Sequence, residues 1–343
     1  MTATQTHESV KEYYGQTLKT SSDLKTGACC LPDAMPEHLR KLLKNIHAEV
    51  QDKFYGCGSP IPHAIKGVTV LDLGCGCGRD SYLLSQLVGE NGRVIGVDMT
   101  DEQLTTANKY VGYHMDKFGY KKTNVEFRKG FIEDLRTAGI ENNSVDVVIS
   151  NCVINLSPEK EKVFAEIFRV LKPGGELYFS DVFADRRIAK ELKSDPVFLG
   201  ECLGGAMYVE DFRRMLQNVG CFDYRVEKSN LIAIDDPKIK NKAGMIGFHS
   251  LTIRTFKCDF EDRCENFGHV AWYNGTIENS PHEFVLDDHH IFKTGLPVSV
   301  CGNTAMMLAN MRYKNHFRVE GNFANHYGIF DCSPAVAGKS EIV

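Results

Sequence analysis

Twelve cysteines in 343 residues are the chain's most concentrated chemical resource. Thiolates are soft ligands, so a surplus of thiols in a long chain points to metal or metalloid binding, or to redox exchange, rather than to a disulfide framework. Cys152 follows an apolar run, in Ser150-Asn151-Cys152-Val153-Ile154-Asn155-Leu156, and Cys202 lies in Gly200-Glu201-Cys202-Leu203-Gly204-Gly205-Ala206. Cys57 sits in a Gly56-Cys57-Gly58 turn that suits exposure, and Cys29 and Cys30 follow Thr26-Gly27. The second chemical signal is Asp72-Leu73-Gly74-Cys75-Gly76-Cys77-Gly78, with Asp98 ending the next apolar run. Glycines at a strand-to-helix turn let the backbone turn tightly and approach a ligand, and an acid at the end of the second strand can accept hydrogen bonds from a ribose. Cys75 and Cys77 occupy the variable positions of that loop. We read them as small neighbours of the ligand, not as a metal-binding pair. Cys221, Cys258, Cys264, Cys301 and Cys332 read as small core residues. A zinc site at Cys258, Cys264 and His269 matches no common spacing, and His289-His290 reads as surface.

The elements that must position these residues alternate between strand and helix. Apolar strands are expected over Val68–Leu73, Arg93–Asp98, Val125–Gly130, Val145–Ser150 and Glu176–Asp181. Helices are expected over Asp80–Val88, about Asp101–Phe118, and Pro158–Leu171, the last stopped by Lys172-Pro173-Gly174-Gly175. Asp80 is positioned to cap the first of these. Such alternation predicts an α/β fold with a doubly wound, Rossmann-like parallel sheet covered on both faces. Ligands of such sheets lie outside the carboxyl ends of the strands, which is where Cys152 and Cys202 fall. Residues 1–65 read as a helical leader, with apolar spacing at Leu39, Leu42, Leu43, Ile46 and Val50 predicting a helix from Pro36 to Phe54. The sheet domain is expected over 66–235, a smaller mixed α/β module over 236–332, and a flexible tail over 333–343.

Composition excludes several classes. The formal net charge is -5 and no run of Lys or Arg occurs, so the electrostatic footprint of a nucleic-acid binder is missing. No stretch of 18 apolar residues and no apolar signal core are present, which predicts a cytoplasmic protein with no membrane contact. The Asn-x-Ser/Thr sequences at Asn142, Asn155 and Asn274 therefore read as chance. A monomer is expected.

The segment order resembles that of class I, Rossmann-like methyltransferases. The glycines alternate as G-x-G-x-G directly after an Asp. Gly130-Phe131-Ile132-Glu133-Asp134 resembles a loop that holds adenine, Val145–Asn151 the strand under the methionine part, and Arg169–Gly175 a turn common in that class. The resemblance implies S-adenosylmethionine as cofactor, held by Asp72, Gly74, Cys75, Gly76, Gly78, Asp98, Met99, Phe131, Ile132, Glu133 and Asn151. Within that class the chain resembles the arsenite methyltransferases, close to the animal type, up to about residue 330. Ser22-Asp23-Leu24-Lys25-Thr26, Tyr55-Gly56-Cys57-Gly58, the Cys152 and Cys202 segments and Glu176-Leu177-Tyr178-Phe179-Ser180-Asp181-Val182 carry this resemblance.

That family's functional cysteines fall on Cys29, Cys57, Cys152 and Cys202. The resemblance implies that Cys57, Cys152 and Cys202 hold trivalent arsenic. It also implies that Cys29, with Cys30 as an alternative, exchanges with Cys57 in a disulfide, and that thioredoxin or glutathione is the final reductant. Arsenite or its thiol conjugates would be the substrate. Tyr13-Tyr14-Gly15 resembles a segment that closes over the cofactor, adding Tyr14 and Gly15 to the expected contacts. Three soft thiolates leave arsenic(III) a lone pair for attack on an electrophilic methyl group, and no base is needed because arsenic carries no proton. Two other readings stand beside this one. A methyltransferase acting on carbon or nitrogen of a small organic molecule would need a base or an apolar pocket. A thiol-rich metalloid binder with an inactive cofactor fold would have no use for the intact glycine loop and Asp98.

Overall fold

The computed structural model describes residues 3–12, 35–54, 56, 58–193, 195, 198 and 203–332. Tyr14, Gly15, Cys29, Cys30, Cys57 and Cys202 lie outside the described residues.

An eight-stranded sheet organises the chain. Its parallel part consists of β1 (Thr69–Leu73), β2 (Arg93–Asp98), β3 (Val125–Lys129), β4 (Val145–Asn151) and β5 (Leu171–Ala184), in the order β3-β2-β1-β4-β5. After the one-turn α8 (Lys190–Lys193), the short β6 (Met207–Tyr208) adds to the end of β5. Side chains alternate across the pleat, so neighbouring residues serve opposite faces. Leu71 and Leu73 enter a core with Phe164 and Ile167 of α7 (Lys160–Val170) and Phe212 of α9 (Val209–Asn218). Val70 enters the opposite core with Tyr82, Leu83 and Leu84 of α4 (Arg79–Val88) and Met115 of α6 (Val111–Phe118). Burial on both faces explains why these strands read as nearly continuous apolar runs.

Several expected boundaries move, each for a local reason. The helix expected over Pro36–Phe54 is two short ones, α2 (Glu37–Leu43) and α3 (Ala48–Asp52). The His47 imidazole accepts from Glu49 N at 3.2 Å and stacks on Tyr110 at 3.8 Å, which starts α3 afresh. Leu39, Ile46 and Val50 still face one core, so the apolar spacing survives the break. The helix expected over Asp101–Phe118 divides into α5 (Asp101–Lys109) and α6 at Tyr110. The Tyr82 hydroxyl donates to Ala107 O at 2.5 Å, engaging the carbonyl that would continue the helical ladder. The turn expected to stop α7 at Lys172–Gly175 belongs to the longer β5, because Gly174 N donates to Lys257 O and Lys257 N to Gly175 O, both at 2.8 Å.

The largest correction concerns the boundary expected at 235/236. The sheet does not end there. After α10 (Pro237–Ala243), β8 (Phe248–Phe256) returns to the sheet and lies antiparallel between β5 and β7 (Tyr224–Leu231). The smaller module therefore begins beyond Phe256. It has a three-stranded sheet with β9 (His269–Tyr273) between β12 (Pro297–Val300) and β13 (Phe317–Glu320). A hairpin of β10 (Glu283–Val285) and β11 (Ile291–Lys293) and the helix α11 (Gly302–Asn310) complete it. His290, read as surface, is buried, with its ring 2.8 Å from Asp287.

A buried ion network joins the two parts. Arg254 of β8 is fully buried; its guanidinium lies 2.9 Å from Glu227 and 3.5 Å from Glu176, and Glu176 also pairs with Arg312 of the smaller module. Arg254→Ala would leave the buried Glu227 without its guanidinium partner, at a cost of about 3–5 kcal/mol. The expected result is an unfolding free energy lowered by that amount and hence a lower denaturant midpoint, and an unshifted midpoint would show that the network contributes nothing. Among the described residues no helix is long and apolar enough to cross a membrane.

Candidate active site

The glycine loop between β1 and α4 lines an open cleft at the carboxyl end of the sheet. Gly74 N donates to Val97 O at 2.8 Å, which bends the loop across β2. Its φ of +66° and the Val153 side chain, 2.4 Å from where a Cβ would stand, both require glycine. Gly78 turns the chain into α4 at φ +88° and faces the Phe127 ring, not the cleft. It has a turning and packing role. Asp80 is not the helix cap, because Gly78 holds that position.

Cys75 and Cys77 are both buried. Cys77 Sγ donates to Val50 O at 3.1 Å, and burial pushes its thiol up to about 12. Burial also pushes the Cys75 thiol well up. Protonated thiols are poor ligands, in keeping with reading the pair as small residues of the loop.

Carboxylates concentrate at one side of the cleft. Asp98 Oδ2 accepts from Gly76 N at 2.9 Å and Oδ1 from Thr100 N at 2.8 Å, which fixes its plane at the lip. Asp72 accepts from the Ser81 hydroxyl at 2.6 Å. Burial, and then the nearby charge of Asp80, push Asp72 up to about 8. Asp80 is held by the Asn151 amide at 2.8 Å and by Arg79 at 3.1 Å, and the Arg79 guanidinium lies 3.2 Å from the Phe54 ring centroid.

The loop Phe131-Ile132-Glu133 also lines the cleft. Glu133 accepts from the Ser157 hydroxyl at 2.5 Å and lies 3.0 Å from His7 Nε2 of α1 (Ala3–Glu12), whose ring is 5.0 Å from that of Phe131. His7 and Val10 line the cleft, so the first helix forms part of its wall.

Cys152 closes the deep end. It follows β4 at φ +57°, a left-handed conformation uncommon for a residue with a side chain and often found at functional sites. Its amide donates to Ser180 O at 2.9 Å, and its side chain is buried. The segments flanking Cys57 and Cys202 converge here. Gly56 lines the cleft, and Asn151, next to Cys152, accepts from Gly58 N at 3.2 Å and donates to Gly58 O at 3.0 Å. Leu203 packs in the same apolar cluster as Cys152. Cys152 is disulfide-bonded, whereas the reading of the sequence kept it as an arsenic thiolate and put disulfide exchange on Cys29 and Cys57. Thiols close enough to share one ion are also close enough to oxidise together, so one arrangement serves both chemistries.

Comparison with known proteins decides the family. Residues 65–220 match the methyltransferase domain model and residues 268–335 the model of the arsenite methyltransferase C-terminal domain. The arsenite methyltransferase of Aquipseudomonas alcaligenes is 50% identical, over 95% of this chain and 94% of its own. The human arsenite methyltransferase is 44% identical, over 90% and 82%. The crystal structure of an arsenic(III) S-adenosylmethionine methyltransferase from Chlamydomonas reinhardtii, 49% identical, superposes with a TM-score of 0.84 over 87% of this chain and all of that one. This chain belongs to the arsenite methyltransferase family.

The enzyme is therefore an S-adenosylmethionine-dependent methyltransferase with a Rossmann-like α/β fold, and the cleft fits that cofactor. Of the expected contacts, Asp72, Gly74, Cys75, Gly76, Asp98, Met99, Phe131, Ile132, Glu133 and Asn151 line it, together with Cys152. The buried carboxylates suit a sulfonium cation. A cation beside Asp72 favours its carboxylate, so cofactor binding should lower a pKa that starts near 8 and release a proton. Affinity is expected to rise with pH toward 8 and level off above it. Calorimetry at pH 7 in buffers of different ionisation enthalpy would detect the proton, and identical heats after correction would refute the linkage.

The reading of the sequence missed His7, Val10, Lys53, Phe54, Thr100, Gln103 and Ser157 in the cleft wall. Thr100 was within reach, two residues past Asp98. His7 had no local signal, since its partner Glu133 is 126 residues away. The core reading holds for the buried Cys301 and is corrected for Cys264 and Cys332, which are only half-buried and stand beside it. Their sulfurs lie within 4.8 Å of one another, and neither Cys258 nor His269 joins the group.

Proposed function

We propose that this family member transfers methyl groups from S-adenosylmethionine to trivalent arsenic held by protein thiolates, giving mono- and dimethylated arsenicals. One observation carries the reading: Cys152 lines the same cleft as the glycine loop and Asp98. S-adenosylmethionine, when bound, supplies an electrophilic methyl group. The protein's task is to orient arsenic toward it. Cys152 and Cys202 hold arsenic throughout, and Cys57, in the turn whose flanking Gly58 is tied to Asn151, completes the initial three-thiolate set. Three soft ligands leave the arsenic lone pair free, and fixed orientation replaces acid–base catalysis.

Methylation consumes the lone pair, so restoring trivalent arsenic takes two electrons. Two thiolates supply them by closing a disulfide. Cys29 takes part in that exchange with Cys57, and thioredoxin or glutathione reopens the bond. An enzyme that depends on reduced thiols suits the cytoplasm, where we place it as a monomer.

The test is incubation of the purified protein with arsenite, labelled S-adenosylmethionine and a thiol reductant, followed by separation of arsenic species. Labelled methylarsenicals that require the reductant are expected. Their absence, with cofactor binding intact, would refute arsenic as the acceptor.

A further inference from the structure

The smaller module brings together three thiols that the cleft does not use. Cys264 precedes β9, Cys301 caps the N-terminus of α11, and Cys332 follows β13, yet their sulfurs lie within 4.8 Å of one another. Backbone bonds impose this convergence. Gly302 N donates to Glu265 O at 2.9 Å, Phe330 N to Cys264 O at 2.7 Å, and Asn266 N to Gly328 O at 2.8 Å. Each bond ties a residue at or beside one cysteine to a segment carrying another.

The surroundings favour a thiolate. Cys301 is fully buried, and its sulfur accepts from Thr304 N at 3.5 Å at the helix start and from the Arg225 guanidinium at 3.8 Å. Cys264 and Cys332 are half-buried, which leaves a route to the group from solvent. None of the three lines the cofactor cleft.

The donor set selects its ligand. All three atoms are soft sulfur, and among the described residues no carboxylate or imidazole joins them as a fourth ligand. Structural zinc sites take four ligands in a tetrahedron. A trivalent metalloid takes three and keeps its lone pair on the open side. We propose that Cys264, Cys301 and Cys332 form a second arsenic(III) site, outside the cofactor cleft, which holds arsenic as a tris-thiolate without methylating it.

Binding needs no redox partner. Arsenous acid exchanges three As–O bonds for three As–S bonds, three thiol protons leave in three waters, and arsenic stays trivalent. Lacking cofactor beside it, the site stores or relays substrate.

The test uses the reduced full-length protein with arsenite alone and counts bound arsenic by elemental mass spectrometry after gel filtration. Cys301→Ser and Cys332→Ser are each expected to bind about one arsenic per chain fewer than the unmodified protein, because two thiolates hold a three-coordinate ion far less well. S-adenosylmethionine binding should be unchanged in both. In a Cys152→Ser/Cys202→Ser background, X-ray absorption should report arsenic with three sulfur neighbours, and adding Cys301→Ser should remove it. Unchanged arsenic stoichiometry in both single variants would overturn the proposal. So would zinc that co-purifies at this group and resists displacement by arsenite. Should Cys301→Ser lose cofactor binding through misfolding, the half-buried Cys332 decides the outcome alone.

Discussion

Replacing Cys152 by serine is expected to lower arsenic methylation by on the order of a thousand-fold or more, because orientation of the reacting atoms supplies most of the acceleration in this scheme. A serine oxygen is a hard ligand and stays protonated near neutral pH, so it cannot replace the soft thiolate. The substitution is nearly isosteric and Cys152 keeps its backbone bond to Ser180, so the cleft should keep its shape. Cofactor affinity is therefore expected to stay within about twofold, since the glycine loop and Asp98, which we propose supply the polar contacts, are untouched. Product analysis paired with calorimetry separates the two effects. Full activity of Cys152→Ser would refute the thiolate scheme, and parallel loss of both functions would reassign Cys152 to the architecture of the cleft.

Asp98→Asn should weaken S-adenosylmethionine binding by about 100-fold, roughly 2.7 kcal/mol, in line with the loss of charge-assisted hydrogen bonds. Both Asp98 oxygens already accept from backbone amides, Gly76 N and Thr100 N, and the residue lines the cleft. An amide must turn its NH₂ toward one of those donors, which also loosens the loop. The effect should appear as a raised KM for the cofactor, with turnover recovering at saturation. A change below about threefold would remove Asp98 from cofactor recognition.

Much of the fold was legible because its signals are local. The glycine loop, the strand runs and Asp98 are each short patterns whose physics lies in adjacent residues, and β2 falls on the expected Arg93–Asp98. Helix continuity was less legible. Nothing within Asp101–Phe118 reveals that a tyrosine of α4 will donate to Ala107 O. The place of β8 was hidden for the same kind of reason. Phe248–Phe256 reads as an apolar and polar mixture, and only pairing with β5 and β7 assigns it to the main sheet.

The candidate site divides along the same line. Cys152 and Asn151 could be placed because they end a strand whose carboxyl end faces the ligand. His7 could not, because its place depends on a contact with Glu133 far along the chain.

Sequence by itself determined the class of enzyme, since the loop's glycines, the acid that ends the second strand and the order of strands are written in consecutive residues. It also supplied the reading, proposed above, that soft thiols and not a base meet the acceptor. Tertiary structure alone decided which thiols share a location. Cys152 closes the cleft from the end of one strand, while Cys264, Cys301 and Cys332 meet in the smaller module through backbone bonds between segments far apart in the chain. Spacing along a chain sets proximity only over a few residues. Beyond that range, the pairing of strands and the packing of buried surfaces set it.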